Sequence, residues 1–250
     1  MSNRVALITG GSRGIGRAIA LELASLGADV VINYARKETA AESVVQAIEQ
    51  MGRQAIAVKA NLAEAPKTEA MLDRVLDQFG RCDIFVGNAA SGIPRPILEL
   101  NDRHWDWTMD INARSILRCV KRLAPPMVQQ GWGRIVNISS HGSTRVLPHY
   151  GITGLSKAVI ESLTRYLAVD LAPNGIITNA ICPGIVDTEA LTKFPIDVQE
   201  TLSQAADRTP AGRNTTPEEV AKLAAFLCSD GAAMIVGQTI MMDGGMSLVW

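Results

Sequence analysis

The sequence predicts an α/β protein with one doubly wound parallel sheet and helices on both of its faces. Short apolar runs alternate with longer amphipathic stretches, and the order is strand, helix, strand throughout. Right-handed crossovers place a helix over the sheet after each strand, so this alternation indicates parallel strands covered on both sides. The chain of 250 residues shows no linker or internal repeat, which predicts a single domain over residues 1–250.

Seven runs have the pattern of buried strands, and four longer stretches that end near glycine have the pattern of helices. The strand-like runs are RVALIT, ADVVIN, QAIAVKA, CDIFVG, GRIVNIS, IITNAIC and QTIMMD. The helical stretches are GRAIALELASLG, TAAESVVQAIEQMG, KTEAMLDRVLDQFG and PEEVAKLAAFLCSDG. Residues 187–216 break this rhythm, because they are long, polar and contain Pro195 and Pro210. We expect a substrate lid there.

The composition argues against several classes of function. The formal net charge is -1, with 24 basic and 25 acidic residues, so no general field favours nucleic acid or anionic lipid. Cys82, Cys119, Cys182 and Cys228 form no CxxC pair, which fits neither a metal cluster nor a disulfide framework. The sequence lacks a signal-peptide pattern and a membrane-spanning run. These features predict a cytoplasmic protein with reduced thiols, no bound metal and a small-molecule ligand.

A glycine-rich loop follows the first predicted strand. Its sequence, TGGSRGIGRAIA, has glycines at positions 10, 11, 14 and 16 and leads into a predicted helix. Glycines there allow a tight turn and a close approach to a pyrophosphate, whose charge is favoured at the helix N-terminus. Its place in a βαβ series favours nucleotide binding over a turn that is only structural.

The end of the second predicted strand indicates which dinucleotide would bind. The run VVINYARK lacks the carboxylate that an NAD site offers to the ribose 2′-hydroxyl. Arg36 and Lys37, together with Arg13 of the glycine loop, could neutralise the 2′-phosphate of NADPH. The alternative is a solvated basic helix start, since charge runs at helix ends usually lie at the surface.

Several further motifs make the sequence resemble the short-chain dehydrogenase/reductase family over nearly its full length. They are TGGSRGIG at 9–16, GNAAS at 87–91, INARS at 111–115, ISS at 138–140, PGIVDT at 183–188 and DGG at 243–245. The resemblance implies a seven-stranded Rossmann sheet, a nicotinamide cofactor and a catalytic tetrad. The tetrad positions are Asn112, Ser140, Tyr150 and Lys157.

The same resemblance implies which residues contact the cofactor. They lie in the glycine loop, after the second, third and fourth strands, in the tetrad and in the PGIVDT turn. They are Gly10, Ser12, Arg13, Gly14, Ile15, Gly16, Arg36, Lys37, Asn61, Leu62, Asn88, Ala89, Ala90, Tyr150, Lys157, Pro183, Gly184, Ile185 and Thr188.

The spacing within HYGITGLSK distinguishes two branches of that family. In the branch that reduces ketones the tyrosine precedes the lysine by four positions, but that position here is Thr153. Tyr150 precedes Lys157 by seven, which is similar to the enoyl-acyl-carrier-protein reductases. NAASG, HWDWTMDINA, LTRYLAVDLAP and TPAGR resemble the NADPH-dependent type III enzymes in particular. Ser140 departs from the main enoyl reductase group, which has a second tyrosine there, and so favours the type III branch.

The wider spacing has a physical rationale. A ketone receives hydride on the carbon that bears its oxygen, whereas an enoyl thioester receives it two bonds beyond the carbonyl carbon. The donor to the thioester oxygen must therefore stand farther from the nicotinamide. Moving it back three residues along a helix displaces it by ~4 to 5 Å. We expect Tyr150 to stabilise the enolate, and the resemblance implies that Lys157 holds the nicotinamide ribose. This predicts NADPH-dependent reduction of the trans-2 double bond of enoyl-acyl-carrier-protein.

Other interpretations of the sequence stay open. A carbonyl reductase of the 3-oxoacyl or hydroxysteroid type could use Ser140 and Tyr150 on a ketone. A non-catalytic regulator could use the fold to sense NADP, and Tyr150 could be a packed side chain. We expect Asn112 to bond main chain within its own helix. The predicted partners are acyl carrier protein and further copies of the chain, in a homotetramer or dimer formed through helices near 101–123 and 155–172.

Overall fold

A computed structural model describes residues 1–249; Trp250, the last residue of the predicted domain, lies outside the described residues. Seven strands form one sheet in the order β3-β2-β1-β4-β5-β6-β7, and every neighbouring pair is parallel. This confirms the predicted fold class and all seven predicted strands. The strands are β1 (Val5–Ile8), β2 (Asp29–Tyr34), β3 (Ala55–Lys59), β4 (Ile84–Gly87), β5 (Gly133–Ile138), β6 (Ile176–Pro183) and β7 (Thr239–Met242).

The connecting segments between the strands are largely helical. The helices are α1 (Gly14–Ser25), α2 (Glu38–Gln50), α3 (Ala65–Phe79), α4 (Asp102–Met109), α5 (Ser115–Gln130), α6 (Gly151–Leu171), α7 (Val198–Arg208) and α8 (Pro217–Leu227). A π-helical turn, Asp110–Arg114, joins α4 to α5, and a 3-10 turn, His141–Ser143, follows β5. The four helices predicted from the sequence correspond to α1, α2, α3 and α8.

Two apolar cores fill the space between the sheet and its helices. One face of the sheet packs with α1, α2 and α8, through side chains such as Leu23, Val44 and Val220. The other face packs with α3, α5 and α6, through side chains that include Leu72 and Leu123. The inner strands are therefore covered on both sides, which explains why they read as continuous apolar runs rather than as alternating ones.

Strands β1 to β3 are added toward one edge of the sheet and strands β4 to β7 toward the other, so the strand order has a switch point between β1 and β4. In open α/β sheets, ligands bind outside the carboxyl ends of the strands at such a switch point. The glycine loop follows β1, and the turn beginning at Asn88 follows β4. The motifs identified in the sequence therefore meet at one edge of the sheet.

The polar segment 187–216 contains regular structure. It includes a 3-10 turn, Leu191–Lys193, and α7, and its two ends are joined where Val186 pairs with Thr215. The Asn214 side chain donates to the Leu202 carbonyl at 2.8 Å. We call residues 187–216 the β6–α8 segment.

Two findings concern chemistry away from this edge. The four cysteines are free and buried, and burial raises the pKa of each thiol to about 12. Within residues 1–249, no helix is long and apolar enough to cross a membrane, and no group of acidic, histidine or cysteine side chains could hold a metal ion.

Candidate active site

The glycine loop leaves the N-terminus of α1 open toward the switch point. Gly10 and Gly14 have φ of +65° and +51°, values that favour glycine. A Cβ atom on Gly16 would collide with the Gly10 carbonyl, so the loop and helix approach too closely for a side chain there. Arg13 precedes the helix without capping it. The first amide groups of α1 are therefore suited to bind an anionic group.

Two asparagines hold the loop in this shape. Asn33, at the end of β2, accepts the Gly10 N–H at 3.4 Å. Asn88, after β4, donates its amide to the carbonyls of Thr9 at 2.8 Å and Gly10 at 3.2 Å. The Asn88 side chain, predicted to contact the cofactor, thus orients the loop.

The other predicted cofactor residues surround this loop unevenly. Asn61 hydrogen-bonds the Glu64 side chain and the Ala63 N–H, and Leu62 is buried in the core. Both side chains therefore make their contacts within the protein. Two of the others are buried: Ser12 in the loop and Pro183 at the end of β6. Along the edge, Ala90 is exposed, and the half-buried residues are Ile15, Ala89, Gly184 and Ile185. The Thr188 methyl carbon lies 3.3 Å from where a Gly14 Cβ would stand. The PGIVDT turn therefore closes directly over the glycine loop.

A cluster of basic side chains lies beside the loop, and it includes an acid that the sequence analysis did not identify. Arg13 is hydrogen-bonded to Glu189, and the Lys37 ammonium lies 3.8 Å from the other Glu189 oxygen. The hydrogen bond from Arg13 lowers the pKa of Glu189. Desolvation and the charges of Arg13 and Arg36 lower the pKa of Lys193, so Lys193 belongs to the same cluster.

Tyr150 is the residue immediately before α6. His149 has a φ of 56°, an uncommon conformation for a side-chain-bearing residue, which turns the chain just before the helix. The Tyr150 carbonyl accepts the Gly154 N–H at 2.7 Å, and α6 continues unbroken past both Gly151 and Gly154. Seven residues amount to about 700°, or almost two helical turns, so Tyr150 and Lys157 lie on the same side of α6.

The Tyr150 ring is held between two elements. A Cβ atom on Gly142, in the turn after β5, would lie 2.5 Å from two ring carbons of Tyr150. On its other side, the Phe194 ring of the β6–α8 segment lies 5.5 Å away between centroids, tilted by 32°. Burial raises the pKa of Tyr150, and a hydrogen bond from Ser140 partly opposes this. The phenol therefore stays protonated at neutral pH and can donate.

Lys157 is buried, and its ammonium donates to the Ile138 carbonyl at 2.7 Å. Burial lowers the pKa of Lys157 to about 8, although Cys182 and Glu161 act in the opposite direction. Glu161 also accepts the Ser139 hydroxyl at 2.5 Å. The two residues immediately before Ser140 thus both connect the end of β5 to α6.

Thr153, at the position where the ketone-reducing branch has its tyrosine, packs against the loop that follows β4. It is buried, and its hydroxyl would overlap a Cβ placed on Gly92. The hydroxyl has no hydrogen-bond partner among the described residues. Tyr150 is therefore the phenol that α6 offers at this edge.

Asn112 does not bond main chain within its own helix, and that prediction was wrong. It lies in the π-helical turn, where its amide oxygen accepts the Ser91 N–H at 2.7 Å and its amide nitrogen donates to the Ser91 carbonyl at 2.8 Å. The same nitrogen donates to the Ser156 hydroxyl at 2.8 Å. Asn112 thus joins the loop after β4 to α6 beside Lys157.

The chain is similar to known proteins over nearly its whole length. A family model described as enoyl-(acyl carrier protein) reductase matches residues 10–247. The chain belongs to the short-chain dehydrogenase/reductase family. It is an oxidoreductase, as are the curated relatives it resembles.

Among relatives of this short-chain dehydrogenase/reductase, a 1-cyclohexenylcarbonyl-CoA reductase from Streptomyces collinus is 41% identical over 98% of this chain and 88% of its own length. A 3-oxoacyl-[acyl-carrier-protein] reductase from Staphylococcus epidermidis is 35% identical over 98% of this chain and 99% of its own. Relatives from Staphylococcus aureus and Synechocystis carry the latter name.

Two solved structures have closely similar folds. A short-chain dehydrogenase from Burkholderia cenocepacia in complex with NADP has a TM-score of 0.90 and is 34% identical, covering 98% of both chains. A 3-ketoacyl-(acyl-carrier-protein) reductase from Brucella melitensis complexed with NADH has a TM-score of 0.89 and is 33% identical, covering 98% of this chain and 99% of its own.

Proposed function

We propose that the protein is an NADPH-dependent reductase of α,β-unsaturated acyl thioesters, with the enoyl group carried by acyl carrier protein. The observation that carries this proposal is the position of Tyr150 at the start of α6, two turns before Lys157. At the ketone-reductase position Thr153 is packed against Gly92. A donor set back along α6 suits a substrate whose oxygen is remote from the carbon that receives hydride.

The described residues fit a nicotinamide dinucleotide that carries a 2′-phosphate. The amide groups at the start of α1 suit the pyrophosphate. Arg13, Arg36, Lys37 and Lys193 supply positive charge where the adenosine ribose would lie, next to the end of β2. The guanidinium groups suit the geometry of a phosphate. These contacts support NADPH over NADH.

When bound, the cofactor supplies the hydride. Tyr150, kept protonated by burial, donates a hydrogen bond to the thioester oxygen as negative charge develops there. Such a donor is commonly worth ~3 to 4 kcal/mol of transition-state stabilisation. Lys157 adds positive charge nearby and holds the nicotinamide ribose, Ser140 orients the phenol, and Asn112 positions α6. The enolate then takes a proton from water at its α-carbon, which completes the reduction.

The names of the relatives support two different reactions. The substrate named for the Streptomyces relative has a double bond conjugated to its thioester and no ketone, which supports reduction of a carbon–carbon double bond. The more numerous relatives named 3-oxoacyl-[acyl-carrier-protein] reductase favour reduction of a ketone instead. The hydrogen bond between Ser140 and Tyr150 also suits a ketone. We therefore keep 3-oxoacyl thioester reduction as the second candidate.

The two candidates are separated by presenting both substrates to one enzyme. Crotonyl and acetoacetyl thioesters of acyl carrier protein would be compared by following NADPH consumption and the acyl product. The main proposal predicts a higher kcat/KM for the crotonyl thioester. A higher value for the acetoacetyl thioester would replace it with the second candidate, and turnover of neither would support a binding role.

We also propose that the chain assembles as a homotetramer through the outer faces of α4, α5 and α6. Several large apolar side chains are exposed on these helices, and exposed patches of this kind indicate interaction surfaces. They are Trp105, Leu117, Leu155, Val159, Tyr166 and Val169. Light scattering would give four chains per particle; a monomer would contradict this proposal.

A further inference from the structure

The β6–α8 segment places a carboxylate among the cations that would receive the 2′-phosphate. Glu189 bonds Arg13 of the glycine loop with one oxygen and lies 3.8 Å from Lys37 with the other. In its own segment, Glu189 accepts the Thr192 hydroxyl with its backbone carbonyl, not with its side chain. The carboxylate therefore reaches across the edge of the sheet to α1 and to the end of β2.

The cluster carries four positive charges, on Arg13, Arg36, Lys37 and Lys193, and one negative charge, on Glu189. A phosphate monoester has up to two negative charges and three acceptor oxygens, whereas a carboxylate has one charge and two oxygens. Both groups suit the guanidinium fork of Arg13. The phosphate is the stronger ligand for such a cluster, but it must displace the carboxylate to use Arg13 and Lys37.

We propose that Glu189 is a specificity-determining residue for the cofactor, because its carboxylate competes with the 2′-phosphate for Arg13 and Lys37. The inference rests on the proposed preference for NADPH. Binding of a 2′-phosphorylated nucleotide breaks both ion pairs and separates the start of the β6–α8 segment from the glycine loop. A nucleotide without this phosphate leaves the pairs in place.

The test uses two nucleotide probes, adenosine 2′,5′-bisphosphate and 5′-AMP, and titration calorimetry. Glu189→Gln keeps the size of the side chain but removes its charge. Glu200→Gln is the matched control, because Glu200 belongs to α7 in the same segment and bonds Gln204. We expect Glu189→Gln to bind the bisphosphate about threefold or more tightly than wild type, as removal of a competing exposed ion pair allows. Glu189→Gln should bind 5′-AMP as wild type does, and Glu200→Gln should bind both probes as wild type does.

A double-mutant cycle ties the effect to the observed contact. In the Arg13→Ala background, the gain from Glu189→Gln should shrink. Unchanged bisphosphate affinity in Glu189→Gln, an equal gain for 5′-AMP, or a gain that persists undiminished without Arg13 would each overturn the inference. Failure of the underlying NADPH proposal is distinct, because wild type would then bind both probes equally and Arg36→Ala would not change that ratio.

Discussion

At the scale of single residues, burial prepares two groups for opposite tasks. It raises the pKa of Tyr150, which keeps the phenol as a hydrogen-bond donor, and it lowers the pKa of Lys157 to about 8. Desolvation penalises the charged form in both cases, so an acid becomes weaker and a base loses its proton more easily. The protonation state of Lys157 is therefore sensitive to pH near neutrality.

If the charge of Lys157 is needed, kcat/KM should be constant below pH 8 and fall about tenfold per pH unit above it. Lys157→Arg, whose side chain stays charged, should have a lower kcat/KM at neutral pH but should not show this fall above pH 8. A wild-type profile that is flat to high pH would contradict the role. The effect on stability has the opposite sign. The unfolded chain binds the extra proton between pH about 8 and 10.5, so this group's contribution to unfolding free energy rises across that window.

Arg36 allows the cofactor preference to be tested without catalysis. Arg36→Ala should weaken NADPH binding by ~10-fold or more, the effect of losing a charge-assisted hydrogen bond of ~1.5 to 3 kcal/mol. NADH, which lacks the 2′-phosphate, serves as the internal control and should bind as before. Titration of both cofactors would check this, and equal losses for the two would count against a 2′-phosphate contact.

The sequence allowed some of these residues to be identified and concealed others. Tyr150, Lys157 and the basic residues after β2 lie at fixed spacings from recognisable motifs. The role of Asn112 depends on a π-helical turn that the hydrophobic periodicity of the sequence does not predict. Glu189 and Lys193 come from a distant segment, and the ion pair between Glu189 and Arg13 depends on how the PGIVDT turn folds over Gly14. An acid directly after that motif was the available signal.

At the scale of elements, the key contact is that between α6 and the turn after β5. Gly142 and Gly154 allow the two backbones to meet, and the Tyr150 ring packs on Gly142. This contact fixes the start of α6 relative to Ser140. The sequence indicated strand and helix separately, but not that two glycines twelve positions apart would form their interface.

The contact predicts opposite outcomes for two alanine substitutions in one helix. A Cβ on Gly154 would lie 2.5 Å from the Gly142 carbonyl, so Gly154→Ala should reduce the unfolding free energy by about 1 to 3 kcal/mol. Gly151→Ala is the control, because its Cβ would meet Ile97 at an ordinary 3.6 Å. It should be neutral or stabilising by up to ~1 kcal/mol. Urea unfolding would give the unfolding free energy of both variants. Equal changes in that free energy would contradict the predicted packing of α6 on the turn after β5.

The β6–α8 segment was predicted as a lid, and we propose that it closes over the acyl chain. Phe194 already packs on the Tyr150 ring, and most side chains between positions 187 and 201 are exposed. Hydrogen exchange should show weak protection there without ligand and stronger protection with NADPH plus an acyl analogue. Protection that does not change on adding both ligands would argue against a lid.

At the scale of the whole molecule, the architecture could be predicted almost completely. The inner strands are buried on both faces, so their apolar runs were easy to recognise in the sequence. The βαβ order then required right-handed crossovers between parallel strands. The substrate was harder to predict. It depends on where a phenol stands relative to a bound nicotinamide, a displacement of ~4 to 5 Å that the overall fold does not determine.

The central claim is that the Tyr150 hydroxyl stabilises charge on a remote thioester oxygen. It is tested most directly by Tyr150→Phe, with NADPH affinity and crotonyl thioester turnover measured on the same preparation. Tyr166→Phe is the control, since it removes the same hydroxyl from a tyrosine near the other end of α6. We predict that Tyr150→Phe binds NADPH as wild type does but reduces the crotonyl thioester ~100-fold more slowly, the usual cost of one lost oxyanion donor. Wild-type turnover by Tyr150→Phe would contradict the account.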